Sequence, residues 1–192
     1  MLGTPAIPTL ANPLMIDNAF AQIQTKLVAG LSWLDHAFGK AQRMKQTVNG
    51  STFIYPAVYI GKQDYLNVFP DAHIGSFTFF DITTSEDIKD RNRVNTTLET
   101  TFSLILWFDF RKVYPANWQL QTTENVKAEL LEFFRTNTFP NAKVRMSKIY
   151  DQAEDIYRNY TDKEIDDQFL MRPFGGFRME GEIQYFEDPV CP

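Results

Sequence analysis

Two histidines, one cysteine and a run of carboxylates are the residues of this 192-residue chain that could do chemistry. His36 and His73 are too far apart for an H-x-x-x-H metal pair. Asp71-x-His73 would supply two ligands, but no further cluster completes them. Cys191 stands next to last, so neither an intrachain disulfide nor a cysteine zinc site can form. A thiol so near a terminus is rarely positioned against a base. No serine stands in a G-x-S-x-G elbow. Gly175-Gly176 lacks the Lys-Ser/Thr ending of a phosphate loop and reads as a bend before the last strand. The carboxylates gather as Asp151, Glu154, Asp155, Asp162, Glu164, Asp166 and Asp167. Acid–base catalysis needs carboxylates whose pKa values burial has pushed apart. Mixed with Arg158 and Lys163, these seven read instead as a solvated face. The expectation is no catalytic residue, no metal and no cofactor.

Charge says more than motif. The net charge is −5, with 19 Lys plus Arg against 24 Asp plus Glu, whereas a nucleic-acid binder needs a basic stripe for phosphates. Within that balance the signs separate. Residues 40–62 carry Lys40, Arg43, Lys45 and Lys62 and no acid, while 151–167 carry seven acids and two bases. A head-to-tail contact, basic stretch of one copy against acidic stretch of the next, would use that separation, and such contacts close into rings. Lys40, Arg43 and Lys45 should then face Asp162, Glu164, Asp166 and Asp167 of a neighbour. Phe77, Phe79 and Tyr59 are the apolar candidates for the same interface. Aromatic residues make up 15% of the chain, which favours β structure and large contacts. Met1–Phe20 has no basic residue and three prolines, a poor signal peptide. No apolar run approaches the ~20 residues that span a bilayer. A soluble, intracellular product with no membrane partner is expected.

These residues need elements to carry them. Residues 1–12, with Pro5 and Pro8, read as an extended arm. Asn12 as N-cap and Pro13 at the first helical position open a helix. Its apolar stripe is Ile16, Phe20, Ile23, Leu27, Leu31 and Leu34. Asn49-Gly50 predicts a type I′ hairpin turn between Phe38–Thr47 and Thr52–Ile60. Residues 61–75 read as a long loop with an extended piece at 65–69, followed by a strand over 76–82. The polar stretch 83–92 reads as a loop projecting toward a neighbour, with Lys89 and Arg91 on it and Arg93 just beyond. A long central strand over 93–112 follows, then a helix over 123–135 and a strand over 143–150. In the last strand, Phe177, Met179, Ile183 and Tyr185 face one way, and Arg178, Glu180, Glu182 and Gln184 the other. Residues 13–188 therefore form one α+β domain, two principal helices on one face of a mainly antiparallel sheet, with 189–192 as a tail.

An amphipathic first helix, a long hairpin, a strand ending Trp107-Phe108-Asp109-Phe110, a helix at Glu124–Phe134 and a closing strand Phe177–Tyr185 together resemble the phage tail terminator (tail completion) proteins and the related neck proteins. The chain is long for that family, through its 61–75 loop and its acidic 151–167 stretch. The resemblance implies a non-enzymatic virion protein, a subunit of a homo-oligomeric ring, hexameric in this family. Such a ring terminates the tail tube or joins tail to head, meeting tail-tube and neck or connector proteins. DNA passes through without specific binding, and the protein is made in the host bacterial cytoplasm. Two other readings remain open: a small-ligand-binding or enzymatic α+β domain, and a ring component of a bacterial injection system.

Overall fold

The computed structural model describes residues 10, 12–61, 64–71, 73–91, 96–161 and 170–187. In chain order the elements are α1 (Met15–Gly30), β1 (His36–Val48), β2 (Ser51–Gly61), β3 (Asp64–Asn67), β4 (Ser76–Asp81), β5 (Asp87–Arg91), β6 (Thr96–Asp109), α2 (Phe110–Val113), α3 (Thr123–Thr136), β7 (Ala142–Tyr150), α4 (Ala153–Ile156) and β8 (Phe174–Glu187). The strands form one mixed sheet, ordered β3-β2-β1-β4-β6-β8-β7, with β5 also paired to β6. Every pairing is antiparallel except β1 with β4. This is a mixed α/β fold with a mostly antiparallel sheet.

The first face of the sheet carries α1 and α3. Ile16, Phe20, Ile23 and Leu27 pack with Val126, Leu130 and Phe133 over Phe80, Phe102, Leu104, Leu106, Phe108, Phe177, Met179 and Ile183. Phe20 stacks on Phe80 with ring centroids 4.1 Å apart and planes 12° from parallel. Two expectations for α1 need correction. The helix starts at Met15, not Pro13, because Met15 takes φ 55°, a left-handed turn that a helix begun at Pro13 could not run through. It also ends at Gly30, so Leu31 and Leu34 lie beyond the helix, yet both are buried in the same core.

The second face has its own core: Phe38, Ala41, Val58, Val68, Phe77, Phe79, Ile105 and Trp107, covered by Ile156, Tyr157 and Tyr160. Phe77 and Phe79 are fully buried there, which removes them as apolar interface residues. The acidic stretch likewise is not simply a solvated face. Over its described part, three apolar side chains seat it on the sheet as a strap, and the Thr161 N–H donates to the Ile54 carbonyl at 2.8 Å.

The hairpin turn is as expected, with Asn49 at φ 51° and Gly50 at φ 79°. Beyond Lys40, however, β1 loses β4 as a neighbour, and beyond Gln42, past the β3 pairing, it continues as a two-stranded ribbon with β2. Its distal residues are mostly exposed. Of the stretch expected as a projecting loop, 87–91 are strand: Asp87–Arg91 form β5, laddered to Thr96–Glu99 of β6, and residue 92 lies outside the described residues. Gly175-Gly176 is not a bend either. Both lie inside β8, and a Cβ at Gly175 would come within 2.8 Å of the Phe108 ring.

Candidate functional site

The densest polar constellation sits at the edge of the second core, where β4, β8 and the strap meet. Arg178 is completely buried, although strand alternation places it on an outward face. Its Nη2 is 3.3 Å from Asp81 Oδ2, its Nε 3.2 Å from Glu180 Oε1, and its Nη1 donates to the Ile156 carbonyl at 3.3 Å. Asn159 Nδ2 donates to Asp81 Oδ2 at 2.6 Å, and Arg43 Nη2 reaches Asp81 Oδ1 at 3.4 Å. Arg158 pairs with Glu180 and lies over the Tyr150 ring. Burial, then the nearby Asp81 charge, pushes the Tyr160 phenol above its ordinary range. Burial does the same to Tyr157. A buried charge must be both paired and hydrogen-bonded, and here the pairing joins sheet to strap.

Three further ties hold other elements. Asp109, buried at the end of β6, accepts from the Arg111 backbone at 2.9 Å and from its guanidinium, and so caps α2. Glu129 on α3 receives Trp33 Nε1 and the Tyr114 hydroxyl, each at 2.6 Å. Burial and that carboxylate raise the Tyr114 phenol. Lys127, nearly buried, bridges Glu124 and Asp151 at 2.7 Å each. Burial alone would lower its ammonium, but the two carboxylates outweigh that and raise it. In turn, the Lys127 hydrogen bond lowers the Asp151 carboxyl.

The expected interface residues are dispersed. Lys40 lies 3.4 Å from Asp17 of its own α1, and Arg43 is engaged by Asp81. Lys45 lies exposed on the ribbon. Lys89 pairs with Asp87 at 3.5 Å and Glu99 at 3.1 Å, and Arg91 ends β5. Arg93, Asp162, Glu164, Asp166 and Asp167 lie outside the described residues. Asp71 accepts from the His73 backbone at 2.8 Å, a local turn. No group of three or more His, Cys, Asp or Glu side chains is placed for a metal ion among the described residues.

Composition and strand alternation both missed Arg178, Asp81 and Asn159. One signal was available. Ile156, Tyr157 and Tyr160 interrupt the acids at a spacing that can seat a short segment on a sheet.

Two of the concavities are lined by charges of both signs. One, about 210 Å³, lies between α1 and the β1–β2 strands, lined by Asp17, Gln24, Lys40, Tyr59 and Tyr65 among others. The other is an open groove of about 480 Å³ along β8 and β7, lined by Thr101, Ser147, Lys148, Arg158 and Glu182 among others. Among the described residues no helix is long and apolar enough to cross a membrane. The chain matches no known family model and no curated protein.

Proposed function

We propose that this protein is a non-enzymatic structural subunit of a phage virion, one copy in a homomeric ring at the end of the tail or at the head–tail junction. The reading rests on the element order and closing-strand pattern that resemble tail terminators. One structural observation carries it further. Past the ties of Arg43 to Asp81 and of Ile54 to Thr161, the β1–β2 ribbon runs exposed through Lys45–Val48 and Ser51–Thr52 about its Asn49-Gly50 turn. The uncovered tip of a two-stranded ribbon gains little stability of its own in water, and a subunit contact would cover it. The polar groups also favour a building block. Asp81, Asp109, Glu129 and Lys127 are each engaged by other protein groups that tie elements together. In this reading the ring meets tail-tube and neck proteins and lets DNA pass; a net charge of −5 suits a conduit that must not hold phosphates.

Size exclusion with light scattering tests the reading. A mass of about six chains is expected, with annular particles in electron micrographs. The mass of a single chain at every concentration would sink it. The cavity beside α1 favours a second reading, a small-ligand-binding domain, though at about 210 Å³ it is below the usual ~300–1,000 Å³ of such sites. A monomer whose Tm rises with a small molecule would support that alternative. An injection-system ring would share the mass and differ in its genomic neighbours.

A further inference from the structure

At one end of the sheet four strands lie side by side in the order β5-β6-β8-β7. Among the described residues β5 pairs only with β6, and β7 is laddered only to β8. Apart from the Ala142 N–H, which donates to the Phe139 carbonyl at 3.3 Å, both outer edges therefore offer backbone groups that another chain can extend. The β1–β2 ribbon, which would otherwise flank β5, has left the sheet by this point, and Ile88 on β5 is 57% exposed. Because each neighbouring pair in this set is antiparallel, β5 and β7 run antiparallel to each other. Two copies placed side by side in the same sense thus bring β7 of one to β5 of the next in antiparallel orientation.

The side chains at the two edges are unlike. On the second face, β7 presents Lys143, Arg145 and Lys148, opposite Gln184, Glu182 and Glu180. All three are exposed, and none has an ion pair among the described residues. On the same face β5 places Asp87 opposite Glu99 and Asp90 opposite Thr97, with Glu86 just before the strand. Lys89 is already tied to Asp87 and Glu99. On the first face β5 places Ile88, and β7 its half-buried Val144 and Met146.

We propose that β7 of one copy adds to the open edge of β5 in the next, continuing the sheet from subunit to subunit. The contact has cations against carboxylates on one face and Ile88 against Val144 and Met146 on the other. Like edges are rejected: two β7 strands would juxtapose six cations, and two β5 strands would bring their carboxylates together. The pairing is therefore heterologous, the kind that closes into a ring and not into a two-fold dimer. This proposal rests on the ring reading and moves the basic side of the subunit contact from the hairpin to β7.

Two triple reversals test it at low salt, where screening is weakest. One is Lys143→Glu, Arg145→Glu, Lys148→Glu; the other is Glu86→Lys, Asp87→Lys, Asp90→Lys. Sedimentation velocity reads the assembly, and circular dichroism with thermal melting reads the fold. Each variant alone should require at least ~10-fold higher concentration to assemble. A one-to-one mixture should assemble again, because each variant's altered edge then meets its complement in alternate subunits. A variant that assembles alone like the wild type overturns the edge pairing and leaves the ring reading intact. Folded variants that remain separate when mixed overturn it equally, as does a wild-type two-fold dimer. A wild type with the mass of one chain overturns both. Should a triple reversal unfold the chain, Arg145→Glu alone is read at the same salt, and unchanged assembly refutes the contact.

Discussion

The two faces of the sheet are covered by different means. The first is closed by two helices of 16 and 14 residues whose apolar stripes lie on alternating strand residues. The second is closed by a short strap with three apolar anchors, and its edge is sealed by a buried guanidinium shared between two carboxylates and a carbonyl. The first arrangement is non-directional: any well-shaped apolar side chain contributes. The second is directional, because removing one partner leaves another charged and buried. A helix-covered face should fail gradually under mutation, and a strap-covered face abruptly.

The largest effect should follow from breaking the buried pair. Arg178→Ala leaves Asp81 with only Asn159 and the half-exposed Arg43, and should cost ~3 kcal/mol or more in urea unfolding. Replacing both groups, Arg178→Met with Asp81→Leu, should recover much of that loss. If the double variant is as unstable as Arg178→Ala, the network is worth more than its desolvation cost and the abrupt-failure picture is wrong. On the first face, Leu130→Ala should cost ~2–4 kcal/mol, the transfer term plus a cavity, with no partner change able to rescue it. A compensating substitution that restored stability fully would erase the distinction between the faces.

The same contrast explains what could be read from the residues alone. The first face was legible because its signals are periodic: the Ile16–Leu27 stripe, the alternation of Phe177, Met179, Ile183 and Tyr185, and the Asn49-Gly50 turn each declare a local geometry. The second face was not. In an alternating strand Arg178 looks outward, and only a carbonyl 22 positions earlier, at Ile156, shows that the outward side is covered. Composition hid the strap too, because seven acids outvote three anchors in any average. The charge separation was real, but Lys40 and Arg43 find their partners within the chain, at Asp17 and Asp81. The β5 edge was invisible for a related reason: a polar segment reads as a loop until its ladder partner is known.

A finer test of the second face is Tyr157→Phe. The Tyr157 hydroxyl is buried and has no hydrogen-bond partner among the described residues, while its ring packs against Phe79 at 6.4 Å. Removing the oxygen deletes an unsatisfied polar group and keeps the ring. The variant should be as stable as the parent or more stable by up to ~1 kcal/mol in thermal unfolding. A loss beyond that would mean that the hydroxyl, not the ring, anchors the strap.

The smallest expected effect is a pH dependence where strap and helix meet. Asp151 begins the strap and receives Lys127 from α3, so its folded carboxyl is lowered below the ordinary range near ~3.9. A group lowered on folding contributes stability above its unfolded pKa, and that stability is lost as pH falls through the lowered value. Lys127 works in the opposite sense. Raised on folding, it contributes below the ordinary lysine value near ~10.4, and the contribution fades as pH rises through the raised value. The pair should therefore act across the neutral range and weaken at both ends. Because Asp151 is about half exposed, solvent screening limits the effect to ~1 kcal/mol or less. Asp151→Asn should flatten the acid limb of a stability–pH curve below about pH 4, the ordinary carboxylate value, and should leave Arg178→Ala equally damaging. If Asp151→Asn instead softened the Arg178→Ala loss, the strap's two ends would be coupled, and its closure over the second face would be a single cooperative event.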